Sequence, residues 1–357
     1  MKQQIPNVVP FPFDAQSNPF FCALASALLP VLGYTEETPF FCGPKDAYCI
    51  NCGDCGSKTT LQKHHLRLYH NYQTFTGVSF GWAWPELDSA YHTLPGAGAA
   101  WRWPDEFIAF IMGRAGLTWR RLPKGTDRDA VYGAVTASVD AGIPALLKLG
   151  EGQDWHVIDG YEDGVLHGLC YKKDGLALPD WFEAFEDAIV ITGRCEPAVT
   201  LADVLRRIVA VLEHPAHARL EADLNRRIDG ITKENMIDTA QWLNERAGFP
   251  IEARWHAADS EMYILCDNEA AKEKIFAMIR QYVFDKEHDA THGTLWKVWG
   301  QLGVGPKTHY QLPRKRKVIK LLSRPGAKEE LKRLFAIVFH NDREVLRFLR
   351  EALEDIE

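Results

Sequence analysis

The stretch from Asp14 to Leu29 constrains the fold most, because a cysteine there opens a run of small and apolar residues. The run from Cys22 contains no glycine, and Pro30 comes only at its end, so the pattern predicts a buried helix beginning near Cys22. A cysteine on the first turn of a helix lies near the positive end of the helix dipole, which favours the reactive thiolate. We expect the side-chain amide of Gln16, together with the Cys22 N–H, to form an oxyanion hole.

A thiol nucleophile needs a base, and His156 is the best candidate in the sequence. Residues 143–149 predict a strand, a second strand begins at His156 and turns at residues 162–164, and a third strand covers residues 165–171. The pattern therefore predicts a β-meander with His156 at the head of its middle strand. The structural alternative stays open, because cysteine is often a core residue and a strand histidine is often satisfied within the core.

These motifs resemble a family of cysteine enzymes. The chain combines Gln-x5-Cys at a helix start, a Gly-x-Pro strand, and His-Val-Ile-x-Gly-Tyr-x-Asp-Gly, with Thr-Gly-x-x-Phe between cysteine and histidine. This is similar to the papain-like enzymes of the bacteriocin-processing C39 type, and closer to the non-proteolytic group around the butirosin biosynthesis acyltransferase. The resemblance implies that Cys22 is the nucleophile, His156 the base and Gln16 the oxyanion donor. The family's third residue usually stands in an Asp-Pro pair, which is absent here, and Asp174 is the nearest substitute.

The resemblance implies an α+β fold, with a papain-like domain over residues 1–196 in which the helix-borne cysteine packs on an antiparallel sheet. After Glu196-Pro197 the apolar period becomes helical, so an all-α domain is predicted over residues 197–357. The implied function is acyl transfer through a thioester on the cysteine, leaning to amide formation in secondary metabolism, with a small-molecule or peptide acyl substrate. Two alternatives stay open: a cysteine peptidase or amidase, and a non-catalytic papain-like binding module.

A second constellation is a glycine-punctuated loop with cysteines at Cys-x2-Cys-x2-Cys spacing, which can bring thiolates to one tetrahedral metal ion. Its members, with one upstream cysteine, are Cys42, Cys49, Cys52 and Cys55. A downstream histidine, from among His64, His65 and His70, could complete the site. Structural zinc is the first prediction and an iron–sulfur cluster the alternative, beside a loop of free thiols. The acyl-transfer chemistry itself requires no cofactor.

Charge and hydropathy limit the partners. The net charge of −7 argues against a dedicated nucleic-acid binder, and no run approaches the ~18 apolar residues of a membrane span. The N-terminus has no signal-peptide pattern, so we expect a cytoplasmic protein. The basic run of residues 314–317 is interpreted as a solvated helix face, or as a surface for an acidic partner such as an acyl carrier protein. Asn341 is predicted to cap a last helix over residues 342–355. The sequence leaves the oligomeric state open.

Overall fold

The computed structural model describes residues 3–10, 18–40, 58–81, 105–150, 155–170, 173–245, 249–284, 290–304 and 314–357. The chain forms two compact units. The first comprises residues 1–72 and 97–200, and the second comprises residues 73–96 and 201–357. The sequence prediction placed one border, between residues 196 and 197. The structure puts the later border just after Thr200, and it also assigns residues 73–81 of the described chain to the second unit.

The first unit contains a seven-stranded sheet in the order β2-β7-β3-β4-β5-β6, with β1 paired to β4. Its strands are β1 Gln3–Gln4, β2 Leu117–Pro123, β3 Ala145–Leu149, β4 Trp155–Glu162, β5 Val165–Cys170, β6 Lys173–Leu178 and β7 Phe185–Arg194. All of the pairings are antiparallel. The predicted meander corresponds to β3, β4 and β5. Its second turn forms where expected, because Asp163 and Gly164 adopt positive φ angles of 49° and 85°.

Helices cover both faces of this sheet. The helices that begin in the first unit are α1 Pro19–Leu32, α2 Thr60–Phe75, α3 Asp105–Ala115 and α4 Arg128–Asp140. Helix α1 packs against β3 and β4, where the Phe20 ring lies 5.2 Å from the Trp155 ring. Helix α4 packs on the other face, where Val131 shares an apolar cluster with Leu147 and Ile158. The prediction of an antiparallel sheet combined with helices is confirmed.

The second unit is helical in its described part beyond residue 200. Its helices are α5 Leu201–Leu212, α6 Pro215–Asp229, α7 Met236–Leu243, α8 Phe249–Ala258, α9 Glu269–Ile279, α10 Thr291–Gln301, α11 Lys315–Leu322 and α12 Ala327–Ile356. The predicted helical C-terminal region is therefore present. Helix α12 is continuous, so the prediction that Asn341 caps a separate helix is wrong. The Asn341 side chain is buried and bonds to the side chains of Gln281 and Thr291 at 2.6 and 2.9 Å.

The Thr-Gly-x-x-Phe motif has a structural role within the second unit. Arg207 Nε donates to the Thr76 carbonyl at 2.8 Å. Gly77 has a φ of +81°, and a Cβ there would lie 2.8 Å from Cγ2 of Val211. The buried Arg254 donates to the carbonyl oxygens of residues 79, 80 and 81 at 3.4, 2.9 and 2.7 Å. The motif thus anchors residues 76–81 among the helices.

No helix in the described part of the chain is both long enough and apolar enough to cross a membrane.

Candidate functional site

The start of α1 lies where the sequence predicts it. Asn18 is the N-cap residue, and its side chain accepts the Phe21 N–H at 3.4 Å, while Pro19 occupies the first helical position. Cys22 therefore lies on the first turn, with 3% of its surface exposed. Gln16 lies outside the described residues, so its assignment as the oxyanion donor remains a prediction.

The surroundings of Cys22 do not activate its thiol. Burial raises the pKa of Cys22 well above its ordinary value. The Cys22 N–H donates to the Asn18 carbonyl at 3.1 Å within the helix, so its role in an oxyanion hole remains a prediction without a supporting contact. A backbone hydrogen bond at Cys22 lowers the pKa of the thiol, but by less than burial raises it. The thiol is therefore protonated at neutral pH.

The imidazole that the structure brings to this part of α1 belongs to His65. Its Nε2 lies 2.7 Å from the Ser26 hydroxyl and 3.1 Å from the Cys22 carbonyl oxygen, and the Ser26 hydroxyl donates to the Val9 carbonyl at 2.8 Å. Burial lowers the pKa of His65 to about 3, so the ring is neutral at pH 7. These hydrogen bonds link α2 to α1, and α1 to the N-terminal segment. Sequence reasoning considered His65 only as a metal ligand.

His156 lies on the other face of the sheet from α1. Trp155 contacts Phe20 of α1, and successive side chains on a strand point to opposite faces. His156 is directly opposite Leu147 of β3, which belongs to the cluster under α4, and opposite Cys170 of β5. No hydrogen bond joins His156 to Cys22 among the described residues. The two predicted catalytic side chains are therefore not brought together.

Asp174 is exposed on β6, and its Oδ1 accepts the Gly175 N–H at 2.7 Å. Its carboxylate lies close enough to Asp159 to affect the pKa of that residue. The pKa of Asp159 is raised, first by burial and further by the charge of Asp174. Across the described residues, no hydrogen bond links Asp174 to His156. Its role as the orienting member of a triad remains a prediction without a supporting contact.

A row of charged side chains under α1 was missed by the sequence reasoning. Lys148 and Asp187 are each 1% exposed and directly opposite each other on β3 and β7. Arg121 Nε lies 3.0 Å from both carboxylate oxygens of Asp187, and its Nη1 lies 2.7 Å from Asp105. Lys148 is also opposite Trp155, which places the row on the face that α1 covers. The sequence feature that could have indicated this row is Lys148, a lysine inside the otherwise apolar strand Ala-Leu-Leu-Lys-Leu.

The predicted metal ligands Cys42, Cys49, Cys52 and Cys55 lie outside the described residues, so zinc or an iron–sulfur cluster remains a prediction. Within the described ranges, no group of three or more His, Cys, Asp or Glu residues is arranged to hold a metal ion. His64 stacks on Tyr34 at 4.3 Å, and its Nε2 lies 3.2 Å from the Thr38 carbonyl oxygen. His64 and His65 thus have structural partners where the sequence suggested ligands.

Comparison with known proteins gives no assignment, because neither a family model nor a curated protein matches the chain. The described residues themselves define the class: one unit with an antiparallel sheet covered by helices, and a second unit that is helical in its described part beyond residue 200.

Proposed function

We propose that the first unit is a papain-like shell that binds an acyl or peptide ligand, and that Cys22 is a packing residue within it. The ligand class comes from the resemblance of the sequence motifs. The observation that carries the proposal is the state of the Cys22 thiol, which is buried, has a raised pKa, and lacks an imidazole partner among the described residues.

The relative strengths of burial and of the helix dipole at Cys22 support a packing role over a catalytic one. A nucleophilic cysteine acts as a thiolate, and an unperturbed thiol with a pKa of about 8.5 is only a few per cent ionised at pH 7. Burial lowers that fraction at Cys22 further. The helix dipole contributes only about 0.3–1 kcal/mol in favour of the anion, and burial is the largest influence on the pKa of Cys22. Desolvation therefore outweighs the position of Cys22 on the first turn.

Acyl transfer through Cys22 is the second candidate, and one observation favours it. Cys22 occupies the first turn of an Asn-capped helix that packs on the strand bearing His156. In this mechanism the thiolate attacks an activated acyl group, and His156 acts as the acid and base when an amine or water resolves the thioester. It requires His156 to reach the other face of β4.

The experiment is thiol alkylation by iodoacetamide at pH 7, mapped to individual cysteines by mass spectrometry. Cys195 is exposed and serves as the internal reference thiol. We expect Cys22 to react at least about tenfold more slowly than Cys195, with the same rate in His156→Ala. Should Cys22 react faster than Cys195, and lose that advantage in His156→Ala, the acyl-transfer candidate is correct and the packing role is refuted.

A further inference from the structure

Helix α11 exposes a run of positive charge on the second unit. Its buried side packs into an apolar cluster through Val318 and Leu322, while Ile319 is 43% exposed. The helix contains no acidic residue. Its exposed cationic side chains, with that of its N-cap residue, are Arg314, Lys315, Arg316, Lys317 and Lys320. These five side chains and Ile319 are called the cationic surface of α11 below.

The charges of this surface lie where they weaken the helix. The N-terminus of a helix is the positive end of its dipole, so cations in the first turn are unfavourable there. Arg316 and Lys320 are four residues apart on one side of the helix, and like charges at this spacing repel each other. The N-cap residue Arg314 makes no side-chain capping hydrogen bond. The arrangement therefore serves binding better than it serves stability.

The cations of α12, the next helix along the chain, are arranged differently. Four of its arginines form ion pairs with acidic side chains, and these pairs are Arg333–Glu330, Arg343–Glu221, Arg347–Glu344 and Arg350–Glu213. In the part of the chain that the structure describes, no acidic side chain forms an ion pair with the cationic surface of α11. Its positive charge is therefore available to an anionic partner.

We propose that the cationic surface of α11 is a docking site for a short acidic segment of a partner protein, in which an apolar side chain among the carboxylates covers Ile319. Complementary charge guides such a segment to the surface and fixes its register. An eight-residue helix is about 12 Å long, which matches about two helical turns of a partner. The inference does not depend on the proposed function, because it concerns the second unit and involves no cysteine.

Two other anionic partners fit this surface less well. A nucleic acid carries its charge far beyond 12 Å, so it would also meet the rest of a chain whose net charge is −7, and its phosphates offer no apolar cover for Ile319. A lipid surface binds amphipathic helices through their apolar side. In α11 that side is already buried against protein, through Val318 and Leu322.

The test titrates the full chain into labelled peptides and follows fluorescence anisotropy. The probe is three repeats of Glu-Glu-Leu-Glu, which places its leucines on one side of a helix, and the comparison peptide has serine in place of leucine. We expect the leucine peptide to bind at least about fivefold more tightly, because only leucine covers Ile319. Its affinity should fall at least about tenfold as NaCl rises from about 50 to about 200 mM.

Two triple variants separate this surface from the overall charge of the chain. The first is Arg316→Gln, Lys317→Gln and Lys320→Gln, and the control is Arg343→Gln, Arg347→Gln and Arg350→Gln. Both remove three positive charges at exposed positions of the second unit. The first should weaken binding of the leucine peptide at least about tenfold, and the control by less than about twofold. The first should also unfold at no lower temperature than the wild type, since it removes repulsion from α11.

Ile319→Ser tests the apolar contact at an exposed position, and it should remove the preference for the leucine peptide. Equal losses of affinity in the two triple variants, or a leucine preference that survives Ile319→Ser, would overturn the inference. Tighter binding of a twelve-nucleotide oligothymidylate or of phosphatidylserine vesicles than of the leucine peptide would overturn it as well. Failure of the proposed function is a separate result, because it appears in the alkylation of Cys22.

Discussion

Substitution of Gly77 tests the anchoring of the Thr-Gly-x-x-Phe motif. Gly77→Ala introduces two penalties. A non-glycine residue at a φ of +81° costs about 1–2 kcal/mol. The new Cβ would lie 2.8 Å from Cγ2 of Val211, and relieving such overpacking costs about 1–3 kcal/mol more. We expect the free energy of unfolding of the helical unit to fall by about 2–5 kcal/mol.

A matched glycine separates the two penalties. Gly326 belongs to the same unit and has a φ of +77°, and a Cβ added there would meet no atom within 4 Å. Gly326→Ala should therefore cost only the backbone penalty of about 1–2 kcal/mol. Urea denaturation followed by circular dichroism at the helical band measures both variants, and the difference between them gives the energy of the clash.

A double-mutant cycle tests whether Val211 is the residue with which a Cβ at Gly77 clashes. Val211→Ala alone should cost about 2 kcal/mol, because it removes buried methyl groups from a residue with 0% exposure. Combined with Gly77→Ala it should cost about 1–3 kcal/mol less than the sum of the single variants, since the shorter side chain makes room for the new Cβ. Equal costs at Gly77 and Gly326, or additivity with Val211→Ala, would refute the reasoning.

Three further predictions concern buried ionisable side chains. Asp187→Ala should destabilise the first unit by about 3–5 kcal/mol, whereas Asp105→Ala should cost less than about 1 kcal/mol, because both carboxylates bind Arg121 but their side chains are 1% and 72% exposed. Arg254→Met should cost about 3–5 kcal/mol in urea denaturation, because it leaves the buried Asp342 carboxylate without its cationic partner and the carbonyls of residues 79–81 without the guanidinium donor. Burial lowers the pKa of His217 from 6.5 to about 4, so the unfolded chain binds the proton first and stability is lost as the pH falls between these values. His217→Asn should reduce that loss by up to about 3 kcal/mol between pH 7 and pH 4, and an unchanged pH dependence of unfolding would contradict the assignment.

Local signals in the sequence predicted the elements near the candidate site. A run of small and apolar residues that begins at Cys22 was enough to place the start of α1 near that residue. The meander was predictable because its strands are short apolar runs and its second turn needs residues that tolerate positive φ, which Asp163 and Gly164 supply. These signals act over a few residues and do not depend on the rest of the fold.

The face on which His156 lies could not be predicted in this way. A strand that is covered on one face shows alternating apolar and polar residues, but β4 is covered on both. Trp155, Val157 and Ile158 are all buried, so the period of two disappears from the sequence. Only the pairing partners and the contact with α1 fix the orientation. The Arg121–Asp187 pair was hidden for a related reason, because its members are far apart in the chain and meet only when β2 pairs with β7.

The alternation of side chains along β4 therefore decides on which face of the sheet His156 lies, and so which cysteine is its neighbour. A shift of one residue in strand register turns every side chain to the other face, which would send His156 toward α1 and Trp155 away from it. The structure opposes this shift with large side chains, since Trp155 is buried against Phe20 while Leu147, opposite His156, lies in the cluster under α4. Exchanging the two faces would place an imidazole against α1 and move a tryptophan that is now 2% accessible to the half-buried environment of His156. Because burial of such a side chain contributes more than about 1.5 kcal/mol, packing selects the register that pairs His156 with Cys170.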